Sequence, residues 1–136
     1  MKFKFLSHTA DLKFKAYGKT LEEVFSNSLL ALASSVSEER ISPEKKIEVS
    51  SSGKDYESLF YNFLEEILFF IDSKNFFPSK ILNLKIDRKK LKLTGELYGD
   101  SGEKYKIYSH IKSVTYSDMI IRREKGRWVA QVVLDV

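Results

Sequence analysis

Carboxylates stand near both extremities of this chain, Asp11 in the run His8-Thr9-Ala10-Asp11 and Asp135 just before Val136. The apolar stretch Val129, Val132, Val133, Leu134 leads straight into Asp135. A strand there would carry a side-chain carboxylate and the main-chain carboxyl group of Val136 into an ordered place, whereas chain ends more often fray into solvent. Adjacent anions repel and call for a counter-charge. If Asp11 reaches the same spot, three carboxyl groups make an oxygen-rich site of the kind that holds a hard divalent cation. Asp11, Asp135 and Val136 are therefore the candidate metal ligands. The plainer alternative leaves Asp11 and Asp135 as separate solvated strand ends. His8 is better suited to orienting this loop through a hydrogen bond than to direct ligation, because carboxylates already supply hard donors.

Other chemistry is sparse. The chain has no cysteine, which excludes disulfides and thiolate metal sites and gives no sign of secretion. No Gly-x-Ser-x-Gly elbow or Ser-x-x-Lys context stands in a convincing place, and there is no glycine-rich phosphate loop. Two histidines, His8 and His110, are too few for a histidine-based zinc site, and His110 reads as a surface strand residue. Tyr105, Tyr108 and Tyr116 lie among Lys104, Lys106 and Lys112. Such interleaving suits a single-stranded RNA platform, but tyrosines also pack on a pleated sheet with no ligand at all. The basic run Lys85, Arg88, Lys89, Lys90, Lys92 alternates with Ile86, Leu91 and Leu93, which favours a solvated hairpin face over a phosphate site.

The elements that must position these residues follow from periodicity and caps. Phe3 to Ser7 and Leu12 to Tyr17 read as strands, the second with Leu12, Phe14 and Ala16 alternating with Lys13 and Lys15. His8 to Asp11 is then the tight connection between them. Thr20 with Glu23 predicts a capping box, and the helix behind it presents Leu21, Val24, Phe25, Leu29, Leu32 and Val36 on one face. Ser42-Pro43 marks a loop, and Ile47 and Val49 a strand. Asp55 caps a second helix whose buried face holds Leu59, Phe60, Phe63, Leu64, Ile67, Phe70 and Ile71. After Pro78, Leu82, Leu84 and Ile86 point inward from one strand and Leu91, Leu93 and Leu97 from its partner, with a turn over Asp87 to Lys90. Gly99-Asp100-Ser101-Gly102 signals a loop. Ile111 to Tyr116, Met119 to Arg123 and Arg127 to Val136 complete the strands, with Lys125-Gly126 as a hairpin turn. The expected fold is α+β, a single domain over 1–136 in which two helices pack on one mainly antiparallel sheet.

Composition bounds the class. A chain of 136 residues, 43% hydrophobic and 31% charged, is one globular domain rather than a disordered segment. The N-terminus lacks the apolar core of a signal peptide, and the window Leu64 to Ile71 is too short to span a bilayer. A soluble, cytoplasmic protein without membrane contact is expected. With 23 basic against 19 acidic residues, the charge permits contact with RNA without requiring it.

Phe5-Leu6-Ser7-His8-Thr9-Ala10-Asp11-Leu12, then Ala16-Tyr17-Gly18-Lys19-Thr20-Leu21-Glu22-Glu23-Val24-Phe25, resembles the opening of the archease family. Ile111-Lys112-Ser113-Val114-Thr115-Tyr116 and Gly126-Arg127-Trp128-Val129-Ala130-Gln131-Val132-Val133-Leu134-Asp135-Val136 resemble its close, and Tyr61-Asn62-Phe63-Leu64-Glu65-Glu66-Ile67-Leu68 with Asp72 its middle. The chain departs from the family at Ser117, where a histidine is common, and over Gly99 to Ser109. The resemblance implies an archease-like fold and a non-catalytic accessory protein of the RNA ligase of tRNA splicing. That ligase joins 3′-phosphate or cyclic-phosphate ends to 5′-hydroxyl ends. The accessory protein would promote ligase guanylylation and repeated turnover, with Asp11, Asp135 and Val136 as a divalent-metal site, calcium being the usual ion, while manganese and GTP belong to the ligase partner. Two alternatives remain from the residues themselves, a metal-dependent phosphoesterase or nuclease and a plain RNA-binding module.

Overall fold

A computed structural model describes residues 1–7 and 11–136. Strands β1 (Phe3–Leu6) and β2 (Leu12–Gly18) precede helix α1 (Leu21–Val36), and β3 (Lys45–Ser52) precedes helix α2 (Tyr56–Lys74). Four strands follow: β4 (Phe76–Asp87), β5 (Lys92–Ser101), β6 (Ser113–Glu124) and β7 (Arg127–Asp135). They form two sheets, one in the order β1-β2-β7-β6 and one in the order β3-β5-β4, and every strand pair is antiparallel. The fold is thus α+β with two helices, but its strands divide where one sheet was expected. Helix α1 explains why. Besides its apolar stripe it buries Asn27, Ser28, Ala31 and Ser35, so most of its circumference needs cover. It touches β2 and β7 of one sheet and β4 of the other, while α2 touches β6 on one side and β3 and β4 on the other.

Both helix starts fall where their sequences place them, although the box expected of Thr20 and Glu23 closes on the N–H of Lys19 rather than that of Thr20. The Glu23 N–H donates to Thr20 Oγ1 at 3.0 Å, and the Glu23 carboxylate reaches back to the Lys19 N–H at 3.3 Å. At α2, Asp55 Oδ1 accepts from the Ser58 N–H at 2.7 Å while Ser58 Oγ accepts from the Asp55 N–H at 3.1 Å, satisfying two orphan donors reciprocally. The helices meet through aromatic rings, with Phe25 at 5.1 Å from Phe60 and 5.5 Å from Phe63 between centroids. Phe70 and Ile71, expected inside, are half-buried because α2 leaves the core over its last turns.

Three strand expectations need correction. In β4, the register shifts between Leu82 and Lys85, and Asn83 takes a left-handed conformation with φ 53°. This bulge turns the strand over, so Ile81 and Ile86 are buried while Leu82 is 43% exposed. In β6, the two short strands are one, bulged between Thr115 and Ile120 with Asp118 at φ 53°. Gly99-Asp100-Ser101 belongs to β5 rather than to a loop. Gly99 serves close packing, since a Cβ there would come 2.1 Å from the Phe77 carbonyl oxygen. Lys125 and Gly126 do form the hairpin turn, both at positive φ as a two-residue type I′ connection requires.

The two faces of α2 provide a direct test. Phe63 is fully buried and Phe69 is 51% exposed. Phe63→Ala is expected to cost about 3–5 kcal/mol and Phe69→Ala less than about 1 kcal/mol, as read from urea unfolding of each variant. Equal costs would place the wrong face of α2 in the core.

Candidate functional site

The antiparallel register of β2 and β7 decides what lies at the chain extremities. Leu12 stands opposite Leu134, with Phe14 opposite Val132 and Ala16 opposite Ala130. Asp11 immediately precedes the first residue of this ladder and Asp135 immediately follows its last partner. The ladder therefore delivers both to the same end of the sheet. Asp135 is half-buried, pairs with Ser113 of β6, and its carbonyl accepts from the Lys112 N–H at 2.7 Å.

A groove of about 550 Å³ opens at this end, and Asp11 and Val136 both line it, with Phe5, Leu12, Ser34, Ser35, Tyr108 and Ser109. Asp135 is not among its walls; it stands between Leu134, the last ladder partner, and Val136. Two of the three expected ligands thus share one groove, and the third is the chain neighbour of one of them. Asp11 is half-buried and makes an interaction of its own within the fold. Among the described residues, no three His, Asp or Glu side chains converge as a metal cage. The expected donor set has only two such side chains, its third donor being a main-chain carboxyl. His8, the expected orienting residue, falls outside the described residues.

The far wall comes from a segment with no regular structure that is nonetheless pinned along its length. The Tyr108 N–H donates to the Val36 carbonyl at 2.8 Å, and Ser37 Oγ donates to the Lys106 carbonyl at 2.8 Å. The Lys106 N–H donates to Glu39 Oε2 at 2.6 Å. At its start, Tyr105 donates from its hydroxyl to Asp100 Oδ2 at 2.8 Å and accepts from the Ser42 N–H at 3.0 Å. Asp100, only 1% exposed, also accepts from the Ser101 N–H at 2.8 Å and pairs with Lys104 at 3.3 Å. Sequence reasoning missed Asp100 because its glycine neighbours imitate a loop. Buried carboxylates need such a full set of donors, and this one anchors the segment that supplies Tyr108 and Ser109.

The lysine–tyrosine interleaving does not make one platform. Tyr105 is locked to Asp100 and stacks on Phe77, Tyr116 stacks on Tyr61 of α2 at 4.3 Å, and Tyr108 stands at the groove, 65% exposed. His110 lies in irregular structure, not in a strand, and lines a separate cavity of about 220 Å³ with Asp72 and Asn75. Among the described residues no helix is long and apolar enough to cross a membrane.

Comparison with known proteins places this geometry. The model of the Archease protein family (MTH1598/TM1083) matches residues 3–136. The chain belongs to the archease family. It is 36% identical to the archease of Methanosarcina mazei, covering 99% of this chain and 96% of the relative, and 39% identical to that of Pyrococcus furiosus, covering 95% and 94%. The solution structure of Methanobacterium thermoautotrophicum protein 1598 superposes with a TM-score of 0.79 at 36% identity, over 99% of both chains. The crystal structure of an archease from Thermotoga maritima, described as a possible chaperone, shares the fold with a TM-score of 0.68 at 21% identity, over 98% and 96% of the two chains.

The Asp100 anchor predicts a pH signature. The Tyr105 hydroxyl first, then the Ser101 N–H and Lys104, hold its carboxyl below the ordinary carboxylate range. A depressed folded-state pKa contributes stability above the unfolded value of about 3.9, and that contribution is lost as pH falls through the folded value. Asp100→Asn is expected to lower the melting temperature at pH 7. The gap to the parent should then narrow progressively below about pH 4. A gap independent of pH in thermal melts would show that the charge of Asp100 does not hold this segment.

Proposed function

We propose that this archease is a non-catalytic accessory protein that activates the RNA ligase of tRNA splicing, promoting ligase guanylylation and multiple turnover through a carboxylate site at the paired chain extremities. The observation that carries the reading is the meeting of Asp11 and Val136 in one groove, at the sheet end to which the β2–β7 ladder also brings Asp135, in a chain that matches its family from residue 3 to residue 136. The description of the Thermotoga maritima archease as a possible chaperone accords with action on another protein.

The donor set suits a divalent cation. All three groups offer anionic oxygen and the chain has no cysteine, so a hard ion such as calcium fits better than a thiophilic one. Asp11, Asp135 and the main-chain carboxyl of Val136 would hold it, and the ion would supply positive charge that lets three anions stand together. The residues themselves do the rest. The β2–β7 ladder fixes their spacing, Lys112 holds the Asp135 main chain, and Tyr108 and Ser109 close the opposite wall. The resulting charged rim presents a preorganised face to the ligase, which uses manganese and GTP. Activation requires that this face bind the guanylylation-competent ligase conformation more tightly than the resting one, because a partner shifts an equilibrium only by its differential affinity. No nucleophile or general base is needed from this chain.

Asp11→Ala and Asp135→Ala proteins that remain folded are expected to stimulate ligase guanylylation about tenfold less than the parent, equivalent to about 1.4 kcal/mol. Unchanged stimulation at saturating archease would remove the carboxylates from the mechanism. Calcium titration calorimetry separates the donors. Val136→Ala should keep most of the affinity, while a tag appended after Val136 should weaken it about tenfold or more by removing an anionic donor. The same tag before Met1 should have little effect. Equal affinity in all three proteins would leave Val136 out of the site.

A further inference from the structure

The opposite end of the four-stranded sheet gathers positive charge from two separate hairpins. Arg88 lies in the turn between β4 and β5, and Arg123 lies near the end of β6. Both guanidinium groups nevertheless sit over the ring of Trp128, at 5.5 and 5.8 Å from its centroid. Trp128 is therefore a common floor that joins two hairpins into one surface. Beside it, Arg127 covers the ring of Tyr17 at 4.0 Å. Segments 87–92 and 122–127 together carry eight bases and two acids. Their local excess of six positive charges exceeds the net +4 of the whole chain, so the remainder of the molecule is net acidic.

The fold leaves this charge largely uncompensated. Asp87 accepts from the Lys89 and Lys90 N–H groups, each at 3.0 Å, and Glu124 pairs with Arg122. Asp55, at the start of the neighbouring helix α2, is engaged with the Ser58 N–H. Among the described residues, Arg88, Arg123 and Arg127 take part in no ion pair. A cluster of like charges held at a fixed spacing repels itself, and a polyanion relieves that repulsion.

The chemistry of the partner can be narrowed. Trp128 and Tyr17 are each only 7% exposed, so their rings serve the arginines and offer no open face for stacking a base. The guanidinium fork matches phosphate oxygens. Membrane-surface binding combines basic charge with inserted apolar groups, and none of the large exposed apolar residues belongs to either segment. We propose that the Arg88–Arg123–Arg127 face binds the phosphate backbone of a nucleic-acid strand without sequence preference. Trp128 and Asp135 are seven residues apart along β7, about 23 Å at the rise of a strand. The bound phosphates would therefore stay clear of the carboxylate groove.

The purified protein alone suffices for the test, so its outcome is independent of the ligase reading. Fluorescence anisotropy would follow a labelled single-stranded RNA of about 12 nucleotides across a salt series, with the DNA of the same sequence as a second arm. The parent should bind both, with affinity falling steeply as salt rises. Arg88→Gln/Arg123→Gln/Arg127→Gln should bind about tenfold or more weakly at about 50 mM salt, with a salt slope reduced by about 2. Because these arginines also pack on aromatic rings, Lys89→Gln/Lys90→Gln/Lys92→Gln provides a variant without that role and should show a similar loss. Lys45→Gln/Lys74→Gln/Lys80→Gln, which removes equal charge elsewhere, should bind as the parent does. The proposal is overturned if the remote lysine variant loses as much affinity as the arginine variant. It is equally overturned if the parent retains no RNA at the lowest salt, or if it binds phosphatidylserine vesicles or an acidic peptide but neither nucleic acid.

Discussion

Seven backbone pairs, from Leu12 opposite Leu134 to Gly18 opposite Trp128, join a strand near one extremity of the chain to the strand at the other. The remaining structure depends on this ladder. Its inward residues Phe14, Ala16, Val132 and Leu134 are fully buried, so a one-residue slip would send them to the wrong face and replace them with Lys13 and Lys15. Register is thereby fixed, and with it the meeting of Asp11 and Val136 in the groove. Closing so long an intervening loop costs entropy only logarithmically in its length. Buried side chains on both strands can therefore offset it, although such non-local pairing forms late compared with helices.

That central pairing also explains how a short domain keeps unlike electrostatics apart. At the Leu12–Leu134 end the sheet finishes among carboxyl groups, and at the Gly18–Trp128 end it finishes among arginines. Neither group is neutralised by the other because the strands between them are rigid and extended. The groove wall opposite Asp11 depends on a third constraint. Residues 105–112 belong to no strand or helix, so their position is set by Asp100, Tyr105, Ser37 and Glu39 and by main-chain bonds to Val36 and Asp135. A buried carboxylate in one sheet thus shapes a groove at the edge of the other.

Where local chemistry alone governs an element, the sequence was a good guide. Thr20 and Asp55 mark both helix starts because capping needs residues only three positions apart, and Lys125-Gly126 marks its turn because few residues accept positive φ. The phase of β4 was misread because the bulge at Asn83 has no hydrophobic signature: an asparagine between two leucines reads as ordinary alternation. Gly99 was misread because a glycine required by the nearby Phe77 carbonyl looks identical to one required by a turn. The division into two sheets was hidden because pairing partners are not local. The candidates Asp11, Asp135 and Val136 were picked out as carboxyl groups near the two extremities of the chain. Ser34, Ser35 and Tyr108 were not, since nothing in their own neighbourhoods announces the groove they wall.

The bulges that spoiled the reading of β4 and β6 have a further consequence for the molecule in a crowded solution. Both strands are sheet edges, where exposed backbone donors and acceptors invite another chain to add on. In each, the bulge interrupts the run of groups that an incoming strand would need in unbroken register, and in β4 Pro78 removes one donor altogether. The other two edges are blunted differently, β1 by having only four residues and β3 by exposed Lys45, Lys46 and Glu48. Among the described residues, all four open sheet borders are thereby poor templates for edge-to-edge aggregation, which leaves the charged ends free to govern what the protein meets.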